Sequence, residues 1–184
     1  MKLWLAIFLF LTTPKFSGAQ PVYVSDQVVF SFFSKAPLED ISAKSSRGMS
    51  AIDISSKSIY FKVSIRTFEF RKRLMQQHFN EEYLESSKYP YAEFKGKYLE
   101  DIDLAKDGIY QVTVQGNLNI HNVTKNYTVK GQIQVDKGKI AANSKFRVRV
   151  ADHRIKIPRL VIKNIAEVVE VQVSARYEPS PNKS

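Results

Sequence analysis

Apolar and polar residues alternate along most of this chain from Val22 onward, which is the pattern of strands with one dry face and one wet face. In the clearest run, the residues on the apolar face are Tyr110, Val112, Val114, Gly116, Leu118 and Ile120. A second run repeats the alternation from Tyr127 to Val135, and the link from His121 to Asn126 has about the length of a hairpin loop. The pattern therefore predicts consecutive antiparallel strands.

A third strand follows the tight-turn signature Asp136-Lys137-Gly138. Its apolar face carries Ile140, Ala142, Phe146, Val148 and Val150. Further strand candidates are Gln27 to Phe33, Leu38 to Ser45, Met49 to Ile54, Ile59 to Ile65, Tyr91 to Leu99 and Val168 to Tyr177. Strands with one apolar face need a second sheet or closure on themselves, and closure removes exposed edges. We predict an all-β, antiparallel barrel of about eight strands, wide enough inside for packed side chains or one small ligand.

The alternation breaks between Arg71 and Ser87, where the spacing of apolar residues becomes three and four and predicts an amphipathic helix. Its apolar stripe contains Leu74, Met75, His78, Phe79 and Tyr83. A second irregular stretch, from Asp152 to Ala166, predicts a short helix or a loop against the barrel end. We expect both segments to act as lids or plugs. In the first, His78, Phe79, Asn80 and Tyr83 would contact the barrel rim or the polar head of a ligand.

The N-terminus reads as a signal peptide over residues 1–19, with Lys2, a short apolar run and Ser17-Gly18-Ala19 before a cleavage point at Gln20. We expect a periplasmic or secreted protein. The chain has no cysteine, so neither a disulfide nor a lipid anchor near the cleavage point is expected. Residues 20–178 form the predicted domain, and residues 179–184 a flexible tail.

The formal net charge is +10, of which the predicted signal peptide contributes two lysines, leaving +8. The cations are spread along the strands and do not gather in one helix or tail. This distribution favours a solvated barrel exterior with weak attraction to anionic lipid headgroups, and it argues against a nucleic-acid partner.

Three histidines are the candidates for metal or acid–base chemistry, and their spacing favours neither. His78, His121 and His153 lack the close pairing of a zinc motif. Asp152 beside His153 resembles part of a catalytic dyad, but no nucleophile motif accompanies it. We predict no catalytic residue, no metal and no cofactor other than a bound lipid. A secreted hydrolase and a metal-binding protein stay as alternatives. So does a small outer-membrane barrel, because alternation alone does not say which face points inward.

Several stretches together resemble the YceI-like family. They are Phe30 to Ile41, Leu74 to Ser86, Tyr89-Pro90 leading into Phe94 to Lys97, Gly116 to Lys125, and Ala151 to Pro158. The resemblance implies a lipocalin-like barrel, usually periplasmic, whose elongated apolar interior takes a polyisoprenoid, quinone-like or amide-headed lipid, with no catalytic residue. Asn122 stands where the family usually has glycine, and asparagine tolerates the left-handed conformation of a turn.

The predicted cavity lining is the inward row of the strands. Its members are Phe94, Tyr98, Tyr110, Val112, Val114, Leu118, Tyr127, Val129, Phe146 and Val148. Gly116 and Gly131 lie on the same face and would either permit sharp curvature or leave space for a ligand. The sequence thus predicts a non-enzymatic binding or carrier protein for an apolar ligand.

Overall fold

Nine strands and one short helix follow one another in the computed structural model, which describes residues 22–35, 40–156 and 167–178. The strands are β1 Val22–Ser34, β2 Ile41–Asp53, β3 Ser58–Ser64, β4 Glu69–Phe70, β5 Tyr91–Tyr98, β6 Gly108–Ile120, β7 Val123–Asp136, β8 Lys139–Arg149 and β9 Val168–Glu178. The helical segments are α1 Arg73–His78, a π-helical turn Phe79–Tyr83, and 3-10 turns at Ile65–Thr67 and Val150–His153. The predicted signal peptide, the predicted tail and residues 157–166 of the second predicted lid segment lie outside the described residues.

Eight of the strands close into an antiparallel barrel in the order β1-β9-β8-β7-β6-β5-β3-β2, and β2 pairs back with β1. The two-residue strand β4 pairs with the start of β2, outside this ring. The predicted eight-stranded antiparallel barrel is therefore confirmed. In the described residues, no helix is long and apolar enough to span a membrane.

The β6–β7 connection is tighter than the sequence indicated. Ile120 pairs directly with Val123, so the turn consists of His121 and Asn122, with φ angles of 53° and 57°. Two successive positive φ angles mark a two-residue hairpin turn whose twist matches that of the strands. The predicted link of 121–126 was wrong because the alternation already resumes at Val123. The expected left-handed conformation of Asn122 is present.

Two other predicted boundaries differ from the structure. The candidates that begin at Leu38 and Met49 both overlap one strand, β2 Ile41–Asp53, whose register with β1 shifts at Val28, and Leu38 itself lies outside the described residues. Such an irregularity disturbs the alternation without ending the strand. The predicted helix from Arg71 to Ser87 is shorter and changes type, since α1 ends at His78 and a π-helical turn follows.

The apolar faces of the strands point into the barrel. The fully buried side chains include Val28, Ile52, Ile133, Ile140 and Tyr177. We call the end with turns 54–57, 99–107 and 137–138 the closed end, because side chains fill the barrel there. The opposite end, with α1, the turn at His121 and Asn122 and the segment Val150–His153, is the helix end.

Candidate ligand-binding cavity

A cavity of about 210 Å³ lies inside the barrel between the packed closed end and the helix end. Its surface is almost entirely apolar. An apolar cavity of about 150 Å³ is already enough to stay dry and bind benzene, so this one has room for a larger apolar group. The residues that border it include Ile59, Phe61, Val63, Ala92, Val112, Ile133, Ala142, Val150, Ile155, Val171 and Val173.

The structure places eight of the ten predicted lining residues against this cavity. They are Phe94, Val112, Val114, Leu118, Tyr127, Val129, Phe146 and Val148. Tyr98 and Tyr110 do not border it. Tyr98 is 2% exposed within the packed core. The Tyr110 hydroxyl lies 2.9 Å from the carbonyl oxygen of Asp103 and 3.0 Å from that of Lys106, in the loop at the closed end, and its one proton is donated to this pair of acceptors. Alternation identifies the face of a strand but not the height along the barrel at which packed side chains give way to open space.

Much of the cavity wall comes from strands that the sequence analysis recognised but did not assign to the lining. These residues are Phe30 and Phe32 on β1, Ile59, Phe61 and Val63 on β3, and Val169, Val171 and Val173 on β9. Each set has the same period-two spacing as the residues of β6 and β7. The alternation that identifies these residues was present in the sequence. In a closed barrel the inward faces of all strands line one interior, so these faces belong to the same wall.

The two glycines of the inward face have different roles. A Cβ on Gly116 would lie 2.4 Å from the carbonyl oxygen of Lys95 and 2.5 Å from Cα of Gly96, so β5 and β6 approach closely there. The Phe94 ring covers this contact, and no groove forms. Gly131 borders the cavity, where a Cβ would lie 3.5 Å from the Val112 side chain. Gly131 therefore lies at the wall of the cavity, whereas Gly116 permits tight strand packing.

At the helix end, Phe79 closes the cavity through a cluster of aromatic rings. Its ring centroid lies 5.6 Å from that of Phe32, 5.8 Å from Phe68 and 5.0 Å from Phe70. Phe32, Phe68 and Phe79 also border the cavity. Offset and edge-to-face aromatic pairs at such distances contribute beyond their buried area. The segment is thus attached to the barrel by its aromatic side chain.

The other predicted lid residues do not follow Phe79 inward. The His78 side chain is 41% exposed and its Nε2 lies 3.8 Å from Glu82, so the prediction that it faces inward was wrong. Leu74, on the same predicted stripe, is 61% exposed. Tyr83 is half-buried, and that burial raises the pKa of its hydroxyl. The helical spacing used for the prediction applies only to α1, and the wider π-helical turn after His78 changes which side chains align.

Asn80 stabilises the lid segment itself. Its Nδ2 donates a hydrogen bond of 2.8 Å to the carbonyl of Gln76, one turn earlier. Its Oδ1 is buried and has no hydrogen-bond partner among the described residues. Asn80 does not border the cavity, so the predicted contact with a ligand head has no support in its position.

His153 is the most deeply buried polar group near the cavity. Its Nδ1 lies 3.0 Å from the carbonyl oxygen of Val123, and its Nε2 lies 3.2 Å from the hydroxyl of Tyr127, which borders the cavity. Because a carbonyl only accepts, Nδ1 carries the proton and Nε2 accepts from Tyr127. Burial lowers the pKa of His153, which keeps the imidazole neutral. Both ring nitrogens are engaged in structural hydrogen bonds, and neither is paired with Asp152 as a catalytic dyad would require.

We expect this buried imidazole to make stability dependent on pH. The pKa of His153 is lower in the folded chain than its usual value of 6.5, so the unfolded chain takes up a proton first as the pH falls. The free energy of unfolding should be at its full value above about pH 6.5 and decrease below it. Urea denaturation at several pH values measures this slope. His153→Gln should flatten the slope, whereas His78→Gln, at an exposed position, should leave it unchanged. Equal slopes in both variants would contradict the assignment.

His121 connects the β6–β7 turn to the segment that follows the lid. Its Nε2 donates to the Glu85 carboxylate across 2.7 Å, and its ring packs edge-on against Tyr89 at 4.4 Å. Within residues 22–35, 40–156 and 167–178, no three histidine, aspartate or glutamate side chains gather in a way that could hold a metal ion. The described histidines therefore have structural partners.

Comparison with known proteins agrees with this geometry. The family model of the YceI-like domain matches residues 24–177. A polyisoprenoid binding domain from Saccharophagus degradans, implicated in plant cell wall breakdown, is 14% identical with a TM-score of 0.73, covering 86% of this chain and 98% of that chain. Burkholderia cenocepacia BcnA is 12% identical with a TM-score of 0.68, covering 81% of this chain and 95% of that chain.

A third similar structure is the YCEI protein of Campylobacter jejuni. It is 14% identical with a TM-score of 0.55, covering 98% of this chain and 100% of that chain. At identities this low, each likeness shows the fold alone. No curated protein sequence matches the chain significantly.

Proposed function

Since this chain belongs to the YceI-like family, we propose that it is a non-enzymatic binding or carrier protein that holds the apolar tail of one lipid inside its barrel. The observation that carries the proposal is the almost entirely apolar cavity of about 210 Å³. Transfer of apolar surface out of water is the main source of affinity in such a site, at roughly 25 cal/mol per Å². The contribution of the protein is a dry and already formed interior.

The distribution of the lining residues along the barrel is compatible with a tail that extends from the helix end toward the packed core. Its lining runs from Phe79 and Ile155 at the helix end to Ile133 and Ala142 near the packed core. A linear isoprenoid, quinone-like or acyl tail would fill this length with apolar contacts on every side. The Saccharophagus degradans domain is a polyisoprenoid binding domain, which supports a ligand of this class for a barrel of the same fold.

The polar groups of the described residues near the cavity favour a role in binding over a role in catalysis. Among the polar side chains that border the cavity is Tyr127, whose hydroxyl donates to the buried His153. The two side chains are hydrogen-bond partners of each other, and the burial of Tyr127 raises the pKa of its hydroxyl. A phenol whose proton is held more tightly is a poorer nucleophile. These residues therefore position the wall of the cavity.

We also propose that the protein acts outside the cytoplasm after removal of residues 1–19. The support is the short apolar run after Lys2 and the small residues Ser17 and Ala19 before Gln20. A carrier in the periplasm or the medium would bring an insoluble tail across water, which is the task that an apolar interior and a charged exterior suit.

Native mass spectrometry of the protein purified from its own source tests both proposals at once. The expected result is a chain that begins at Gln20 and carries one bound apolar molecule, identified after extraction. A chain of full length would contradict export. An empty cavity in a protein that also fails to take up the neutral apolar dye N-phenylnaphthylamine would contradict the binding function.

A matched pair of substitutions tests whether the tail occupies the cavity. Ala92 borders the cavity, and Ala141 is half-buried on the outward face of β8. We expect Ala92→Leu to weaken binding of N-phenylnaphthylamine by about tenfold, since overpacking costs roughly 1–3 kcal/mol. Ala141→Leu should bind like the wild type. Fluorescence titration measures both, and equal affinities would show that the dye binds elsewhere.

A further inference from the structure

The wall of the barrel is not uniformly closed. The β6–β7 ladder contains thirteen residue pairs, from Gly108–Val135 to Ile120–Val123. The β7–β8 ladder contains six, from Asp136–Lys139 to Gly131–Ser144, although both strands continue toward the helix end. Among the described residues, 123–130 of β7 and 145–149 of β8 have no backbone pairing on the sides that face each other. We call this opening the β7–β8 gap.

Like charges give a physical reason for the end of the ladder. The next pair in the same register would place Lys130 directly opposite Lys145. Like charges directly opposite each other destabilise an antiparallel pair. The last link is the Ser144 hydroxyl, which donates a hydrogen bond of 2.8 Å to the carbonyl of Lys130. Beyond that link the two strands separate.

The cavity reaches the β7–β8 gap. Tyr127 and Val129 border it on one side, and Phe146 and Val148 on the other. Gln132 and Asn143 border it as well, although they belong to the outward-facing set of their strands and pair with each other at the end of the ladder. The rings of Tyr127 and Phe146 meet edge-on across the gap at 6.3 Å.

The outer rim of the gap is basic. Lys130, Arg147 and Arg149 are exposed, and none has an ion-pair partner in the described part of the chain. Lys145 is paired with Glu170 at 2.7 Å. Asp152 is a further carboxylate near this end, where its charge acts on Tyr127 and His153. An excess of cations therefore surrounds an opening into an apolar cavity.

We propose that the β7–β8 gap holds the anionic head of a lipid whose single apolar tail lies in the cavity, with Lys130 and Arg147 as the binding cations. The proposal rests on the proposed tail-binding function and assigns a chemical class to the ligand, an apolar chain ending in a phosphate or a carboxylate. A guanidinium and an ammonium form charge-assisted hydrogen bonds to such heads. A charged head cannot follow the tail inside, because desolvation of an unpaired charge is costly.

Hydrogen bonds at both limits of the gap indicate where the head of the ligand would stay outside the barrel while its tail lies in the cavity. His153 donates to the carbonyl of Val123 and accepts from Tyr127. It therefore fixes β7 and the Tyr127 ring at the limit of the gap nearest the helix end. The Ser144–Lys130 hydrogen bond marks the limit of the gap nearest the closed end. Between these limits the side chain of Phe146 can turn without breaking a backbone pairing or the Tyr127–His153 hydrogen bond.

Two probes with one tail and different heads test the proposal, namely dodecyl phosphate and dodecanol. Each is titrated against protein loaded with N-phenylnaphthylamine, and displacement of the dye reports affinity. We expect the wild type to prefer the phosphate by about tenfold, since each exposed ion pair contributes on the order of a few-fold. The preference should shrink as salt is added. Lys130→Gln combined with Arg147→Gln should abolish the preference and leave the affinity for dodecanol unchanged.

The control removes the same charges from another face. Lys44→Gln combined with Arg47→Gln takes one lysine and one arginine from the exposed side of β2 and should keep the preference for phosphate. Loss of the preference in both double variants would show a general charge effect and overturn the gap as the site. No preference in the wild type would overturn the anionic head but leave tail binding standing. If neither probe displaces the dye, the proposed function itself fails.

Discussion

Val114→Asp is expected to yield no stably folded protein. Val114 is 6% exposed, borders the cavity and lies directly opposite Val129 in the β6–β7 ladder. A carboxylate there would be buried without a cation or a hydrogen-bond donor, at a cost of several kcal/mol. The total stability of a domain is only about 5–15 kcal/mol. Circular dichroism and the yield of soluble protein measure the effect.

The neighbouring position supplies the control. Gln115 is exposed on the outer face of the same strand, so Gln115→Asp should change stability by roughly 0.5 kcal/mol or less. Val114→Thr serves if the aspartate variant cannot be purified, and its buried hydroxyl should cost about 1–3 kcal/mol. Equal tolerance at positions 114 and 115 would mean that β6 does not face the interior as described.

Phe79→Ala should lower the melting temperature and speed up the release of a bound ligand. The ring contacts three other phenylalanines and covers the helix end of the cavity. Removal of a buried aromatic ring costs roughly 3–5 kcal/mol, and we expect about 3 kcal/mol because this ring is half-buried. For a domain of this size, that loss corresponds to a decrease on the order of 10 °C. Differential scanning calorimetry and stopped-flow release of N-phenylnaphthylamine measure the two effects.

Leu74→Ala is the matched control for Phe79→Ala. Leu74 lies in α1 and is 61% exposed, so its truncation should affect neither stability nor release. If Phe79→Ala changed release without changing the melting temperature, the segment would be a mobile gate and not a docked one. If it behaved like Leu74→Ala in both measurements, the aromatic cluster would have no role.

The fold was predictable because closure and alternation constrain each other. The period-two runs of β6, β7 and β8 identify strands with one apolar face, and many such strands must enclose their own interior. The same reasoning predicted ten lining residues, of which the structure places eight along the cavity. It could not distinguish Tyr98 and Tyr110 from Val112, because all three share a face and differ only in their distance from the closed end.

The helix end was less predictable, for a different physical reason. A stripe at three- and four-residue spacing assumes a continuous α-helix, and the π-helical turn after His78 breaks that assumption. Only Phe79 among the predicted lid residues reaches the cavity. The burial of His153 was also missed, since it depends on a carbonyl and a hydroxyl from β7, about thirty positions away in the chain. Such partners follow from register, which a pattern along one segment does not specify.

The way in which the barrel closes also determines how it can fold. β1 pairs with its sequence neighbour β2 on one side and with the last strand, β9, on the other, where the Ser25 hydroxyl reaches the carbonyl of Arg176, 151 residues away. Contacts between distant residues are slow to form, because the loop between them must first be ordered. The ring cannot be completed before the final strand is available, and until then β1 and β8 each present an unpaired edge. A chain that loses β9 would keep both edges exposed, and exposed edges template aggregation. A barrel without β9 is therefore expected to keep an open seam between β1 and β8, which pairing with β9 closes in the folded chain.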